Sequence, residues 1–489
     1  MVGKNSEGGP SLAVLVVGAG LGGLAVALAL RHQGHDVTVL EAAAELVTAG
    51  AGIQIPPPST RILKCWGLEQ KFKPVLSTPK TFAFRSHKDG RLLGAVPLNP
   101  FCQDRYGSEW WTVHRADYQK ILFDEVERMG VKVRLNCRVF KVFAEIPAVE
   151  AVSKGTSETI NADLIIGADG LRSKIRSEIF GKNDPGPRPS TICAYRALVP
   201  LEAMLADNHR KCLMQEGNQN VDVWLGPGHM VLAYPLRQGT KAQYNLVLVH
   251  PEKDEHTKHD LPPRFPRPSS VSEVSAHYAD FCEQVQSLVN VVTPEDENDF
   301  WVKQSGLSAK DGILEWQLAD LDELSSWSSE DGKVVLLGDA AHAQRPYMSA
   351  GASCAVEDAV ALATLLQPKA IHEHGLRKLV DVWMEIRKDR VTEMQRKSTA
   401  DSITWTLPDG ASQKRRDELL SRLDSKERDL CARAMATLRT EGIGEFNFGD
   451  SQVMDWAWGY DVAQEAKDVL AELNRNDLGQ FYQCDGRQF

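Results

Sequence analysis

The sequence predicts an α/β protein. It has a parallel-sheet nucleotide domain assembled from separated segments, a β-rich insertion and a helical C-terminal region. Three observations carry this reading. A glycine-rich turn follows an apolar run near the N-terminus. Strand-then-helix patterning resumes near residue 334 after a long β-patterned stretch. From residue 376 the pattern is mostly helical.

The first element is an apolar strand over 12–17, followed by Gly18-Ala19-Gly20-Leu21-Gly22-Gly23, a helix over 24–31, and a second strand, Val37-Thr38-Val39-Leu40, that ends at Glu41. Gly18 permits the tight turn, Gly20 lets backbone amides approach a pyrophosphate, and Gly23 lets the helix pack closely on the strand. The helix N-terminus adds partial positive charge, and a carboxylate at Glu41 can accept from both hydroxyls of a ribose. The whole arrangement predicts an adenine dinucleotide site.

The remaining elements follow in order. Ala49-Gly50-Ala51-Gly52 implies a close backbone approach to a flat group, and Pro56-Pro57-Pro58 stops any helix before one over 61–68. A helix capped by Asp117 carries Tyr118, Ile121, Leu122 and Val126 on one face and ends at Gly130; Val131, Val133 and Leu135 alternate as a strand. A buried strand from 162 leads into Gly167-Ala168-Asp169-Gly170 and a basic helix over 172–176. Residues 181–190 read as a Gly/Pro-rich connector, 191–250 as strands, and 252–270 as an exposed charged loop. Strand 334–337, the turn Gly338-Asp339 and a helix over 351–366 restore the nucleotide pattern. The implied division is 10–75, 110–185 and 305–370 for a discontinuous nucleotide domain, 76–109 and 186–304 for a β-rich substrate domain, and 371–489 for C-terminal helices.

Composition narrows the function classes. With 489 residues, 43% apolar and 25% charged, the chain can bury a large core. A net charge of −10 without a basic block argues against a nucleic-acid surface. No apolar run is long enough to span a membrane, and nine scattered cysteines fit reduced thiols, so a cytoplasmic enzyme, monomer or homodimer, is expected. His32 with His35, and His256 with His259, sit in polar stretches and read as solvated residues, so no metal site is expected.

In this combination the chain resembles the single-component FAD-dependent aromatic hydroxylases, in particular their salicylate-hydroxylase-like fungal branch. The resemblance rests on the glycine turn with Glu41, on Gly167-Ala168-Asp169-Gly170, and on Gly338-Asp339-Ala340-Ala341-His342 with Pro346-Tyr347 and Gly351-Ala352. It implies tight, non-covalent FAD, with NAD(P)H and O2 as co-substrates. It implies FAD contacts from Gly18, Gly20, Gly23, Glu41, Ala51, Gly52, Arg115, Asp169, Asp339, Pro346, Gly351 and Ala352, with Asp169-Gly170 also serving the visiting NAD(P)H. The helix opening at Gly351 would stabilise negative charge on the reduced flavin. Two places depart from the family: Pro58 and Ala350 stand where relatives often carry Asn and Gln.

The expected reaction inserts one oxygen atom into an electron-rich small aromatic molecule through a flavin C4a-hydroperoxide, a chemistry that secondary metabolism uses. The cofactor carries the reaction, and the protein supplies position, dryness and charge. Only one glycine fingerprint is present, so the reductant is expected to visit and leave. Tyr195, Arg196, Trp224, His229, Tyr234 and Arg237 are the polar and aromatic groups of the insertion. Arg196, a charge inside a strand-like run, and Tyr234 are the candidate catalytic residues. Indole or alkaloid epoxidation, dearomatisation, and a flavin dehydrogenase or reductase that inserts no oxygen remain open beside ring hydroxylation.

Overall fold

A computed structural model describes residues 9–46, 52–214, 219–236, 242–252, 267–291, 313–423 and 428–476. Ala51, Arg237, His256 and His259 lie outside the described residues.

The nucleotide sheet is fully parallel, in the order Val334–Leu336, Leu164–Gly167, Ala13–Val17, Asp36–Leu40, Lys132–Arg134. Its three central strands are almost wholly apolar because helices cover both faces. The helix Leu21–His32 starts directly after Gly20, and its Ala-rich flank packs on the helix Gly351–Leu365. The N-terminal strand pairs with Asp36–Leu40 on one side and with Leu164–Gly167, some 150 residues later, on the other, and that strand in turn carries Val334–Leu336 at the edge.

Several local expectations are corrected. The prolines do not precede a later helix; they open one, Pro57–Cys65, since first-turn amides need no partner and the proline φ is already helical. The helix Arg115–Arg128 is capped by His114, whose Nδ1 accepts from the Ala116 amide at 3.2 Å, and Asp117 sits inside its first turn. His35 is buried, not solvated: Leu12 N donates to its Nδ1 and its Nε2 donates to the Leu366 carbonyl at 2.6 Å. The connector is partly a strand, since Arg188–Pro200 begins inside it.

The larger sheet has eight strands, in the order Arg267–Ser269, Ile313–Asp320, Arg188–Pro200, Gln243–Pro251, Met230–Leu236, Val221–Leu225, Thr81–Ser86, Leu92–Pro97. Ile313–Asp320 belongs here although it falls within 305–370, and Leu76–Ser77 pairs instead with Trp111–His114 in a small sheet that also holds Gly52–Ile55. Residues alternate between the faces. Tyr195, Ala197, Val199, Trp224 and Leu246 pack on the helices Val271–His277 and Glu283–Val289, while Ala194, Arg196, Met230 and Tyr234 face the nucleotide sheet's side.

The C-terminal region is helical, led by Leu376–Thr404, with Ala411–Leu420, Arg428–Thr440, Ser451–Trp458 and Val462–Asn476. Its attachment to the helix Gly351–Leu365 is ionic and fully buried. Arg387 Nε donates to Asp358 at 2.9 Å and its Nη2 to Glu357 at 2.9 Å; Arg390 donates to Glu357, to the Trp456 and Ala457 carbonyls, and stacks on Tyr460. The described cysteines are free, and no helix of the described residues is long and apolar enough to cross a membrane.

Candidate active site

The glycine turn, the start of Gly52–Ile55, the 337–339 turn, the 344–352 segment and one face of the larger sheet enclose a cavity of about 340 Å³. The glycines at its nucleotide end have distinct roles. A Cβ on Gly18, which has φ +105°, would overlap the Ala168 carbonyl, and one on Gly23 would overlap the Gly18 carbonyl. A Cβ on Gly20 would meet no protein atom within 4 Å, because that position opens into the cavity. The first two glycines therefore shape the turn, and the third leaves room for a ligand.

Two acids stand at the strand ends. Glu41 ends the second strand, its Oε2 accepting from Ala19 N and its Oε1 from Ala43 N, each at 2.8 Å. It flanks the turn without lining the cavity, and each oxygen keeps a lone pair for a ribose hydroxyl. Asp169 does not line the cavity either. It accepts from Ser173 Oγ and from the Lys174 and Ile175 amides, and so anchors the start of the helix Lys174–Phe180; burial raises its pKa against those bonds. Its neighbours Ala168 and Gly170 do face the cavity.

Arg115, Asp339 and Arg196 all line the cleft, and the other two both act electrostatically on Arg115. Arg115 is exposed within the cleft, and its pKa is lowered, first by desolvation between the surrounding walls and then by the Arg196 cation, with Asp339 acting in the opposite sense. Asp339 is exposed to the cleft at the start of the short helix Asp339–His342. Behind it, His342 Nε2 bonds Asp358 Oδ2 at 2.6 Å, which ties this turn to the buried ion network. Pro346, Gly351 and Ala352 line the wall, where the helix Gly351–Leu365 begins with neither a side-chain cap nor an acid in its first turn. Its amides are thus available to an acceptor.

The sheet wall is apolar except for two residues. Arg196 pairs across strands with Val247, which in turn faces Leu232, and the next row is Ala194, Val249 and Met230. Arg196 is half-buried and has no hydrogen bond or ion pair among the described residues. Tyr234 is buried and packs on Gly52, where any Cβ would strike its ring. Burial raises its phenol pKa, with Arg196 opposing, so the hydroxyl stays protonated at neutral pH. Asn245, opposite Tyr234, accepts from Gly52 N at 2.7 Å and pins the small sheet to the large one.

Other expected groups lie elsewhere. Tyr195 stacks on His250 on the far face of the sheet, Trp224 is core, and His229 bonds the Pro227 carbonyl outside the cavity. Sequence reasoning passed over Gln54, Gln344 and Trp405, which line the cavity. Trp405 ends a long helix far along the chain, so only the fold brings it here. The Gln344-Arg345 pair, polar residues set between Ala343 and Pro346, was the available signal.

These features fit FAD: a glycine turn open to the cavity at Gly20, an acid hydrogen-bonded to that turn, and a helix N-terminus without a side-chain cap on the cavity wall. The comparisons agree. The FAD binding domain family matches residues 11–264 and 308–398. The FAD-dependent monooxygenase OpS4 of Beauveria bassiana is 28% identical over 464 residues, covering 94% of this chain and 97% of its own. The 3-amino-4-hydroxybenzoate 2-monooxygenase PtnB3 of Streptomyces platensis is 31% identical over 405 residues, 83% of this chain and 91% of its own. A salicylate hydroxylase substrate complex superposes with a TM-score of 0.66 at 25% identity, covering 94% of this chain and 98% of that one. The chain belongs to the FAD binding domain family and is an FAD-dependent monooxygenase of the aromatic-hydroxylase type.

Proposed function

We propose that the protein uses NAD(P)H and O2 to insert one oxygen atom into an electron-rich small aromatic molecule that bears an acidic group, phenolic or salicylate-like. When bound, FAD supplies the redox chemistry, accepting a hydride and activating O2. The chain's own residues bind, orient and exclude water.

The observation that carries this reading is Arg196, a guanidinium on an otherwise aliphatic sheet wall with no anionic partner among the described residues. A charge in that setting is costly until something neutralises it, and a planar carboxylate or phenolate suits its fork of donors. Tyr234 offers a protonated hydroxyl nearby for a substrate oxygen. Leu232, Val247 and Val249 form a flat apolar face for a ring, and removal of water from that face strengthens the pairing with Arg196.

The test is a panel of aromatic acids and phenols scored for stimulated NAD(P)H oxidation and, by mass spectrometry, for a gain of one oxygen. Arg196→Ala should keep FAD and lose product formation, by about 2 kcal/mol or more in kcat/KM, as for a lost charge-assisted bond. Unchanged turnover at full flavin occupancy would remove Arg196 from the site. Tyr234→Phe should give a smaller loss in the same assay.

A further inference from the structure

One polar side chain on the cavity wall is held with its donor end free. Gln54 lies in the strand Gly52–Ile55, lines the cavity and is 7% exposed. Its Oε1 accepts from the Trp110 indole Nε1 at 3.2 Å. An indole N–H can only donate, so the carbonyl end of the amide is the end that meets Trp110. Trp110 is fully buried, its ring set edge to face against Trp458 at 4.8 Å and Phe448 at 6.0 Å. The Nε2 end of Gln54 is thereby turned away from Trp110 and makes no hydrogen bond among the described residues. Gln344, Tyr347 and Trp405 also line the cavity and hold a polar atom without a partner, but those atoms are sealed within the protein, whereas Gln54 Nε2 is not.

The direction of the side chain gives this donor to the substrate end of the cavity. Side chains alternate along a strand, so Gln54 shares a face with Gly52. A Cβ on Gly52 would strike the Tyr234 ring at 2.6 Å and the Leu236 side chain at 2.9 Å. Thr112, paired with Gln54 across the small sheet, donates from its Oγ1 to the Pro235 carbonyl at 2.9 Å. That face of the small sheet is therefore turned to the strand Met230–Leu236 of the larger sheet, which also carries part of the apolar wall beside Arg196. Behind Gln54, Phe448 joins Trp110 to Phe82 and Trp405, two aromatic residues that line the cavity.

We infer that Gln54 is a specificity-determining residue that donates to a neutral oxygen acceptor on the substrate, such as a carbonyl or ether oxygen borne by the ring in addition to its acidic group. This rests on the proposed substrate reading, and it adds a second fixed contact on the small sheet, separate from Arg196 on the larger one. A ring held at both points cannot turn in its own plane, so Gln54 selects which ring carbon meets the cofactor. A side-chain amide does not titrate, and no proton transfer is assigned to it.

The experiment uses FAD-loaded protein and matched benzoates whose substituents have the same shape and differ in the acceptor: 3-acetylbenzoate against 3-isopropylbenzoate, and 4-acetylbenzoate against 4-isopropylbenzoate. Binding is read from perturbation of the flavin absorption spectrum. The protein should bind the acetyl member of at least one pair about ten times more tightly, the worth of one neutral hydrogen bond. Gln54→Leu should bring that ratio to within about twofold and leave the isopropyl affinity unchanged. Gln54→Glu keeps an acceptor for Trp110 while replacing the free donor by an acceptor, so it should abolish the preference even if Gln54→Leu fails to fold. FAD affinity, titrated on apoprotein without any aromatic ligand, should stay within about threefold of wild type in each folded variant. The inference is overturned by equal binding within both pairs, by no binding of any of the four, or by a preference that survives either variant. A loss of FAD affinity of about tenfold or more would also overturn it, by giving the donor to the flavin. Arg196→Ala separates the two readings, since it should weaken acetyl and isopropyl members alike. An acetyl preference with no effect of Arg196→Ala would sink the carboxylate reading and leave the Gln54 contact standing.

Discussion

At the scale of single residues, glycines in one motif separate into two physical kinds. Gly20→Ala places a methyl in the cavity at a φ of −70°, which alanine accepts. The apo protein should keep its stability or gain a few tenths of a kcal/mol, as compatible Gly→Ala changes do, while FAD affinity falls. Gly23→Ala places the methyl against a backbone carbonyl and should cost about 1–3 kcal/mol or more in the apo protein itself. Thermal unfolding of apo protein, with the flavin-to-protein ratio after loading, checks both. A Gly20→Ala variant that loads FAD normally would contradict the placement of the pyrophosphate. Glu41→Arg should likewise abolish loading, and full FAD content in that variant would count against the ribose assignment. The motif's spacing made the strand, turn and helix legible in the sequence. The role of Asp169 was not, because a short-range anchor and a ligand contact have the same local sequence and differ only in which amides lie within reach.

At the scale of elements, caps and buried polar groups are where sequence and structure part company. A run of prolines is as compatible with opening a helix as with stopping one, and a cap at His114 breaks the usual residue preference. His35 looks solvated from its polar neighbours, yet it joins the first strand, through Leu12, to the end of the flavin-facing helix at Leu366. Its two bonds require the neutral ring with hydrogen on Nε2, and burial lowers its pKa below 6.5 although the Leu366 carbonyl opposes. The folded form therefore resists protonation more than the unfolded form does. The stability from this residue is fully present above pH 6.5 and is lost as pH falls through the lower folded value. Melting temperature should drop between pH 7 and 5, and His35→Gln should lower it at pH 7 and flatten the slope. A parallel slope in the variant would exclude His35 as the cause. Asp358→Ala should be harsher, about 3–5 kcal/mol, because it leaves Arg387 sharing the one carboxylate of Glu357 with Arg390 and takes from His342 its acid partner.

At the scale of the whole molecule, the order of strand and helix signals along the chain was enough to give a parallel sheet interrupted by a β-rich insertion. The edges of that division were not readable, since Ile313–Asp320 is an ordinary alternating strand and only pairing shows which sheet it joins. The cavity is lined by residues from the segments around the nucleotide sheet and from the larger sheet. With one glycine fingerprint, the reductant has no second dinucleotide fold of its own. We therefore expect substrate to accelerate flavin reduction by NAD(P)H, by binding one arrangement of the cleft better than another. Anaerobic stopped-flow with and without an identified substrate measures this, and equal rates would discard the gating while leaving the enzyme class untouched.

The buried ion network also sets a schedule for synthesis. Arg390 donates to the carbonyls of Trp456 and Ala457 and stacks on the ring of Tyr460, Arg387 donates to the Tyr460 hydroxyl, and Arg61 donates to the Tyr460 carbonyl. The helix Gly351–Leu365 is thus fastened, through Arg387 and Arg390, to residues about a hundred positions later and, through Arg61, to the helix Pro57–Cys65 about three hundred positions earlier. A chain released at residue 455 would hold every glycine of the nucleotide motif and both acids, yet Arg390 would be buried without those carbonyls and Arg387 without the Tyr460 hydroxyl. Such a fragment should emerge colourless, and cofactor uptake should wait until residues 456–460 have been made.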